Sequence, residues 1–217
     1  IIARCFSREQ GKISLIIKGA KRSKSPKSVH FQPLSYVELV YNYQPKRDLQ
    51  TISKVSFLEY WSKILSNLRS ITLSMAILEI TDKALSHQDP YPSLFSTLVD
   101  VLQEFDKDKI NPNILFWFYE CALLQNLGFK PDLEISHFPG IVLPDIHRGK
   151  KTISLLSTLL AGDIKKLPEN EINYKDSKII SSYLWTLLRY HCENLNHLDH
   201  QYIPSPALKI LQEGFVQ

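Results

Sequence analysis

Two periods divide the chain. Over the first sixty residues apolar and polar side chains alternate in short runs, and from Trp61 onward the apolar positions recur three and four residues apart. The first pattern predicts strands and the second predicts amphipathic helices. "IIARCF" and "KISLIIK" flank "SREQGK", where Gly11 marks a turn, so a hairpin opens the chain. "YVELVYNY" and "LQTISKVSF", rich in β-branched and aromatic residues, supply two more strands on either side of "QPKRD". Short strands joined by one long connection suit a small barrel, whose closure removes exposed edges.

In the helical part, Trp61, Ile64, Leu65, Leu68, Ile71, Met75 and Leu78 fall on one face. Leu94, Leu98, Val101, Leu102 and Phe105 do the same, after Asp89 and Pro90 in the N-cap and first-turn positions. "NILFWFYECALLQNL" is apolar almost all round and is bounded by Asn111 and Pro112 before it and Gly128 and Pro131 after it. It reads as the central buried helix. Further helices are expected over about Thr152–Leu160, Ser177–Glu193 and Ser205–Glu213, with residues 131–150 irregular. The fold class is α+β, β then α: an OB-fold-like small barrel over 1–60 and an all-helical domain over 61–217. The four strands are one short of an OB barrel, and the chain begins with Ile1 rather than Met, so we expect the first strand to precede it.

Composition narrows the class. At 217 residues and 44% apolar, the chain can bury one large core or two small ones. No apolar run reaches the roughly 18 residues of a membrane span. Cys5, Cys121 and Cys192 are odd in number and far apart, which argues against a disulfide framework or a C-x2-C zinc site. These features are those of a soluble intracellular protein.

The net charge of +4 is unevenly spread. Residues 1–31 hold eight Lys/Arg against Glu9 alone, a net +7, and the remainder is −3. Five of the eight lie in "KGAKRSKSPKS", a stretch with no acid between two strands. Such an asymmetry points to a polyanion as partner. Single-stranded nucleic acid is held by a positive groove with aromatic faces for its bases, and Phe31, Tyr36, Tyr41 and Tyr43 follow the basic stretch. The candidate nucleic-acid contacts are Lys18, Lys21, Arg22, Lys24 and Lys27, with Arg4, Arg8 and Lys12 on the hairpin.

Catalytic motifs are absent: the seven glycines assemble neither a dinucleotide fingerprint nor a P-loop, and no HEXXH or G-x-S-x-G occurs. "RGKKT" at 148–152 has the look of a phosphate loop, but Pro144 stands where the upstream Gly belongs. "HCENLNHLDH" gathers His191, Cys192, His197, Asp199 and His200. Adjacent His191 and Cys192 point in different directions on a helix, and histidines near a helix C-terminus account for the cluster without metal. No catalytic residue, metal or cofactor is assigned.

Three segments carry a family resemblance. "SREQGK", "KGAKRSKS" and "FQPL" (Ser7–Lys12, Lys18–Ser25, Phe31–Leu34), then "LLQNLGFKPDLE", then "LLRYHCENLNHLDHQYIPSPALKIL", resemble in order the RecO family of bacterial recombination mediators. The resemblance implies an N-terminal OB fold, a helical C-terminal domain and no bond-breaking chemistry. It implies binding to single- and double-stranded DNA, annealing of complementary strands, and cytoplasmic, nucleoid-associated action. The implied protein partners are RecR, the acidic tail of single-stranded DNA-binding protein and, indirectly, RecA, with no membrane. Many members carry a C-x2-C…C-x2-C zinc module after L-G-F-x-P. Here "DLEISHFPGIVLPDIHRGKK" has no Cys, so a zinc-free branch is implied, held by Ile135, Phe138, Ile141, Val142, Leu143 and Ile146. The competing reading is an interaction scaffold whose basic loop docks an acidic protein or a lipid surface.

Overall fold

The computed structural model describes residues 2–17, 30–86, 88–169 and 172–196. Five proposed DNA contacts (Lys18, Lys21, Arg22, Lys24, Lys27), three members of the histidine cluster (His197, Asp199, His200) and the expected helix over 205–213 lie outside these residues. The expected strands form: β1 Ile2–Ser7, β2 Gly11–Ile16, β3 Tyr36–Asn42 and β4 Leu49–Glu59. They make one sheet in the order β1-β2-β4-β3, antiparallel except where β2 and β4 run parallel. Among the described residues β1 and β3 are its two edges. Ile13 and Leu15 of β2 and Ile17 just past its end are buried in strict alternation. In β4 the alternation fails, because the β3–β4 register shifts twice and β2 covers only Leu49–Thr51. Phe57, Leu58 and Glu59 are consequently all exposed.

The first helical pattern is divided in two, α1 Ser62–Ser66 and α2 Leu68–Ala84. Asn67 is extended, and its side chain accepts hydrogen bonds from the Arg69 and Ser70 amides, capping a new helix. The break rotates the buried face. Leu73, Ala76, Ile77 and Ile80 are in the core, and of the face expected from spacing Leu65 and Leu68 are exposed. Helix α3, Pro92–Lys107, buries the five expected residues but starts two positions late, with Tyr91 at the N-cap and Pro92 in the first turn. Asp89 and Pro90 do not cap it.

Helix α4, Pro112–Asn126, lies at the centre, and from Ile114 to Leu124 only Ala122 is not buried. Asn111 caps it. Gly128, at φ 86°, ends it in a Schellman turn, with Phe129 N–H donating to Leu124 and Gly128 N–H to Gln125. Its two polar-tipped aromatics find partners in neighbouring helices. Trp117 Nε1 donates to Ser181 Oγ at 3.0 Å, and Tyr119 shares a 2.6 Å bond with Thr81. Thr81 spends its own proton on the Ile77 carbonyl, so Tyr119 is the donor.

Residues 131–150 hold a small hairpin, β5 His137–Phe138 and β6 Ile141–Val142, turned at Gly140, and a 3-10 turn over Ile146–Arg148. Leu143 and Ile146 are buried, as expected, and Phe138 stacks on Tyr190. Ile135 and Val142 are exposed and hold nothing together. Helices α5 Thr152–Leu160, α6 Tyr174–His191 and the short α7 Glu193–Asn196 complete the described chain.

Sheet and helices meet along one seam. Phe6 and Tyr36 both pack on Phe95 of α3, and Tyr36 also stacks on Trp61. The hairpin turn is closed by Ser7, whose hydroxyl accepts from Gln10 N–H and donates to the Gly11 carbonyl. Gly11 has φ 63°, and a Cβ there would run into the backbone carbonyl of Asp89. Only glycine suits both demands. Gln88 N–H then donates to the Lys12 carbonyl at 3.1 Å.

Candidate nucleic-acid interface

The hairpin cations are not a free cluster. Arg4 and Lys12 lie on the same face of the sheet, towards the helices, and both engage one carboxylate, Asp82 of α2, at 2.8 and 3.4 Å. Lys12 also donates to the Asp82 backbone carbonyl. Arg4 keeps a side chain 74% exposed and can still meet a ligand from the solvent side, whereas Lys12 is largely covered. Arg8 is exposed and holds its guanidinium 5.6 Å from the Phe95 ring, a cation–π arrangement.

Nor do the hairpin and the basic stretch share one end of the sheet. Arg8 and Lys12 flank the β1–β2 turn, while the stretch follows Ile17 in sequence, at the other end of β2. The chain returns at His30, whose ring stacks on Phe57 near the end of β4 at 4.3 Å. Phe57 stands eight residues after Leu49 along β4, about 26 Å.

The aromatics sort by burial. Tyr36 belongs to the seam. Phe31 and Tyr41 are half-buried, and burial, then the neighbouring Tyr43 and Glu9, push the Tyr41 phenol up. Tyr43 (51%), Phe57 (41%) and Tyr60 (66%) are exposed, so ring faces for stacking come from Tyr43 and from two residues outside the original set. The parallel register, with Leu49 beside Ser14 and Thr51 beside Ile16, places the β3–β4 connection, with its exposed Lys46 and Arg47, at the hairpin end. Both cations sit in "QPKRD", which reads as a turn; that reading hides what its tip displays.

The other motifs resolve structurally. At "RGKKT" the anion is internal. Asp176 of α6 accepts from the Thr152 hydroxyl at 2.7 Å and from Lys151 N–H at 3.2 Å, and Asn173 Nδ2 donates to its other oxygen. Burial works to raise the Asp176 carboxyl, but the bonds from Thr152, Asn173 and Lys151 outweigh it and hold it low. A side chain on Gly149 would strike both Thr152 and Asp176, so the phosphate-loop look arises from a carboxylate capping α5. His191 stacks on Phe129 at 4.1 Å, and burial lowers its basicity. Cys192 is buried. Among the described residues no three His, Cys, Asp or Glu could hold a metal ion, and no helix is long and apolar enough to cross a membrane.

Comparison with known proteins bears on both halves. The family model for the recombination protein O N-terminal region matches residues 1–61, and that for its C-terminal region matches 65–140. The chain belongs to the RecO family. Among curated RecO proteins, the DNA repair protein RecO of Salinibacter ruber is 30% identical over 133 residues, 61% of this chain and 51% of that protein. The DNA repair protein RecO of Exiguobacterium sibiricum is 31% identical over 128 residues, 59% of this chain and 50% of that protein. That of Syntrophomonas wolfei is 22% identical over 201 residues, 82% of this chain and 79% of that protein. The chain thus spans about half the length of the first two relatives. Within the first of the three RecO-like segments, "FQPL" has a conformational demand of its own. Ser35 N–H bonds the Gln32 carbonyl around Pro33 and Leu34, and Leu34, at φ 66°, occupies the left-handed position that usually falls to glycine. Its side chain is 8% exposed and packs into the helical core, which offsets the strain.

Proposed function

We propose that this RecO chain acts in DNA repair as a non-catalytic recombination mediator. Residues 1–60 would bind single- and double-stranded DNA, and residues 61–217 would form the protein-binding platform. It would anneal complementary strands and, with RecR, help load RecA onto strands coated with single-stranded DNA-binding protein, in the cytoplasm at the nucleoid. The observation that carries this reading is the +7 charge of residues 1–31, most of it in the stretch that links β2 to β3 in sequence. Annealing brings two polyanions together, and lysines that replace condensed counterions lower their repulsion. Lys18, Lys21, Arg22, Lys24 and Lys27 are the proposed principal contacts. Arg8 and the solvent side of Arg4 would add to them, and Lys12 would serve chiefly as a strut to α2.

For the acidic, apolar-ended tail of the single-stranded DNA-binding protein, the helical part offers two cationic rims. Lys165 and Lys166 follow Asp163, which already pairs with Lys166 at 3.2 Å. His147 to Lys151 lie next to the Phe129–His191–Phe138 ring cluster's hairpin, with Arg148 paired to Asp145 at 3.3 Å. Alanine at Lys165 and Lys166 that leaves tail-peptide affinity unchanged removes that pair.

The deciding experiment is anisotropy of an oligo-dT strand over a salt series, with Lys21, Arg22, Lys24 and Lys27 changed together to Ala. The logarithmic salt slope should flatten by about two to three units, at roughly 0.7 per lost phosphate contact. An unchanged slope moves the DNA elsewhere on the sheet, and no binding by the wild type rejects the function.

A further inference from the structure

The connection between β3 and β4 is built more firmly than a surface turn requires. Gln50, only 2% exposed, accepts from Gln44 N–H at 2.8 Å and donates to the carbonyls of Gln44 and Arg47 at 3.0 and 2.6 Å. Arg47 N–H donates to Gln44 as well, at 3.0 Å. One buried amide therefore sets the shape of residues 44–47 before any ligand arrives, which lowers the ordering cost of binding. On this rigid turn stand Lys46 and Arg47, both exposed and, among the described residues, without an ion-pair partner, next to Tyr43.

We propose that this turn is a second contact for single-stranded nucleic acid, with Lys46 and Arg47 on phosphates and Tyr43 stacked against a base. The inference rests on the DNA-binding reading above and names a subsite within it. Two cations and an exposed ring on a preset backbone are the combination that a nucleic-acid strand uses in full. An acidic protein segment would leave the ring idle, and an apolar one would leave the cations unpaired. The nearby anions are Glu9 on the hairpin turn, which acts on Tyr41, and Asp48, which follows Arg47. The turn lies at the hairpin end of the sheet, so a strand meeting it and the His30–Phe57 end would run along β4.

The test is anisotropy titration of an oligo-dT strand of about 15 nucleotides with the full chain over a salt series. Lys46→Ala with Arg47→Ala should flatten the slope by about 1.4. Tyr43→Ala should weaken binding about 5- to 150-fold, and Tyr43→Phe should restore it. Lys175→Ala with Lys178→Ala, two exposed cations of α6, is the control of equal charge and should leave the slope alone. A wild-type slope in the Lys46/Arg47 variant, or equal flattening in the control, overturns the phosphate contact. Wild-type affinity in Tyr43→Ala overturns the stacking. Either result leaves the effect of the Lys21/Arg22/Lys24/Lys27 variant standing, so the subsite can fail while the function survives. No binding by the wild type overturns both.

Discussion

Replacing Glu120 by glutamine keeps the size and shape of the side chain and removes its titration. Glu120 is in the middle of α4, 2% exposed, and its Oε2 has no hydrogen-bond partner. Burial drives its carboxyl well above the ordinary value, so the folded chain holds a proton that the unfolded chain releases near pH 4.3. The sign follows from linkage. The stability this group contributes is fully present below the unfolded value and is lost as pH rises towards the folded one. The loss is about 1.4 kcal/mol for each pH unit between the unfolded and the folded value. Urea unfolding of wild type and Glu120→Gln, in steps from pH 5 to pH 8, isolates the effect, because other titrations cancel in the difference. The difference should grow in favour of the variant by about 1.4 kcal/mol for each unit of pH until the folded value is reached, and level off beyond it. The slope is the diagnostic quantity. The offset also contains the extra amide donor, which when left unpaired costs about 1–3 kcal/mol. A difference that stays flat from pH 5 to pH 8 would show that Glu120 is ionised in the fold, and the account of α4 as a dry central helix would be wrong.

Three further outcomes follow from the seam and its turns. Asp82→Asn should release Arg4, while Lys12 keeps its bond to the backbone carbonyl of residue 82, steepening the salt dependence of oligo-dT binding by about 0.7 in the same anisotropy assay. Its stability cost should stay below about 1 kcal/mol, since the Arg4 bridge is exposed. Gly11→Ala should lower stability by about 1–3 kcal/mol through the left-handed backbone alone, and by more because of the Asp89 carbonyl, read as a fall in urea midpoint. At Leu34, Ala should be no better than Gly in thermal unfolding, because both lose the buried side chain, at about 2–5 kcal/mol, and only Gly relaxes the positive φ. A clear advantage for Ala would refute strain at that turn.

Much of the fold was legible because burial writes a period into the chain. Ile13, Leu15 and Ile17 alternate, and Leu94, Leu98, Val101, Leu102 and Phe105 trace one helix face. The Asn67 break was not legible, since i+3 and i+4 spacing is satisfied on both sides of it. The core face of α2 was further disguised by Ser70, Ser74 and Thr81, which are buried but polar in type. Pro90 and Pro92 are equally good helix openers in sequence, and the docking of the Gln88–Asp89 backbone on the hairpin turn goes with the later start. Asp82 lies 70 and 78 residues from the cations it binds, a separation that no local pattern reports. The interface was legible in its charge and only partly in its rings, because which tyrosine faces water depends on bulges in β4.

The docking of Gly11 and Lys12 against Gln88 and Asp89 also constrains how this protein can vary. Connections between helices ordinarily absorb insertions at small cost. The link from α2 to α3 is an exception, since one extra residue between Leu85 and Tyr91 would slide the Asp89 carbonyl off the hairpin turn and pull Gln88 away from Lys12. Length polymorphism in this family should therefore avoid that link and gather at connections such as residues 131–150, where Val142 projects 81% exposed into solvent and no strand of the sheet depends on the spacing.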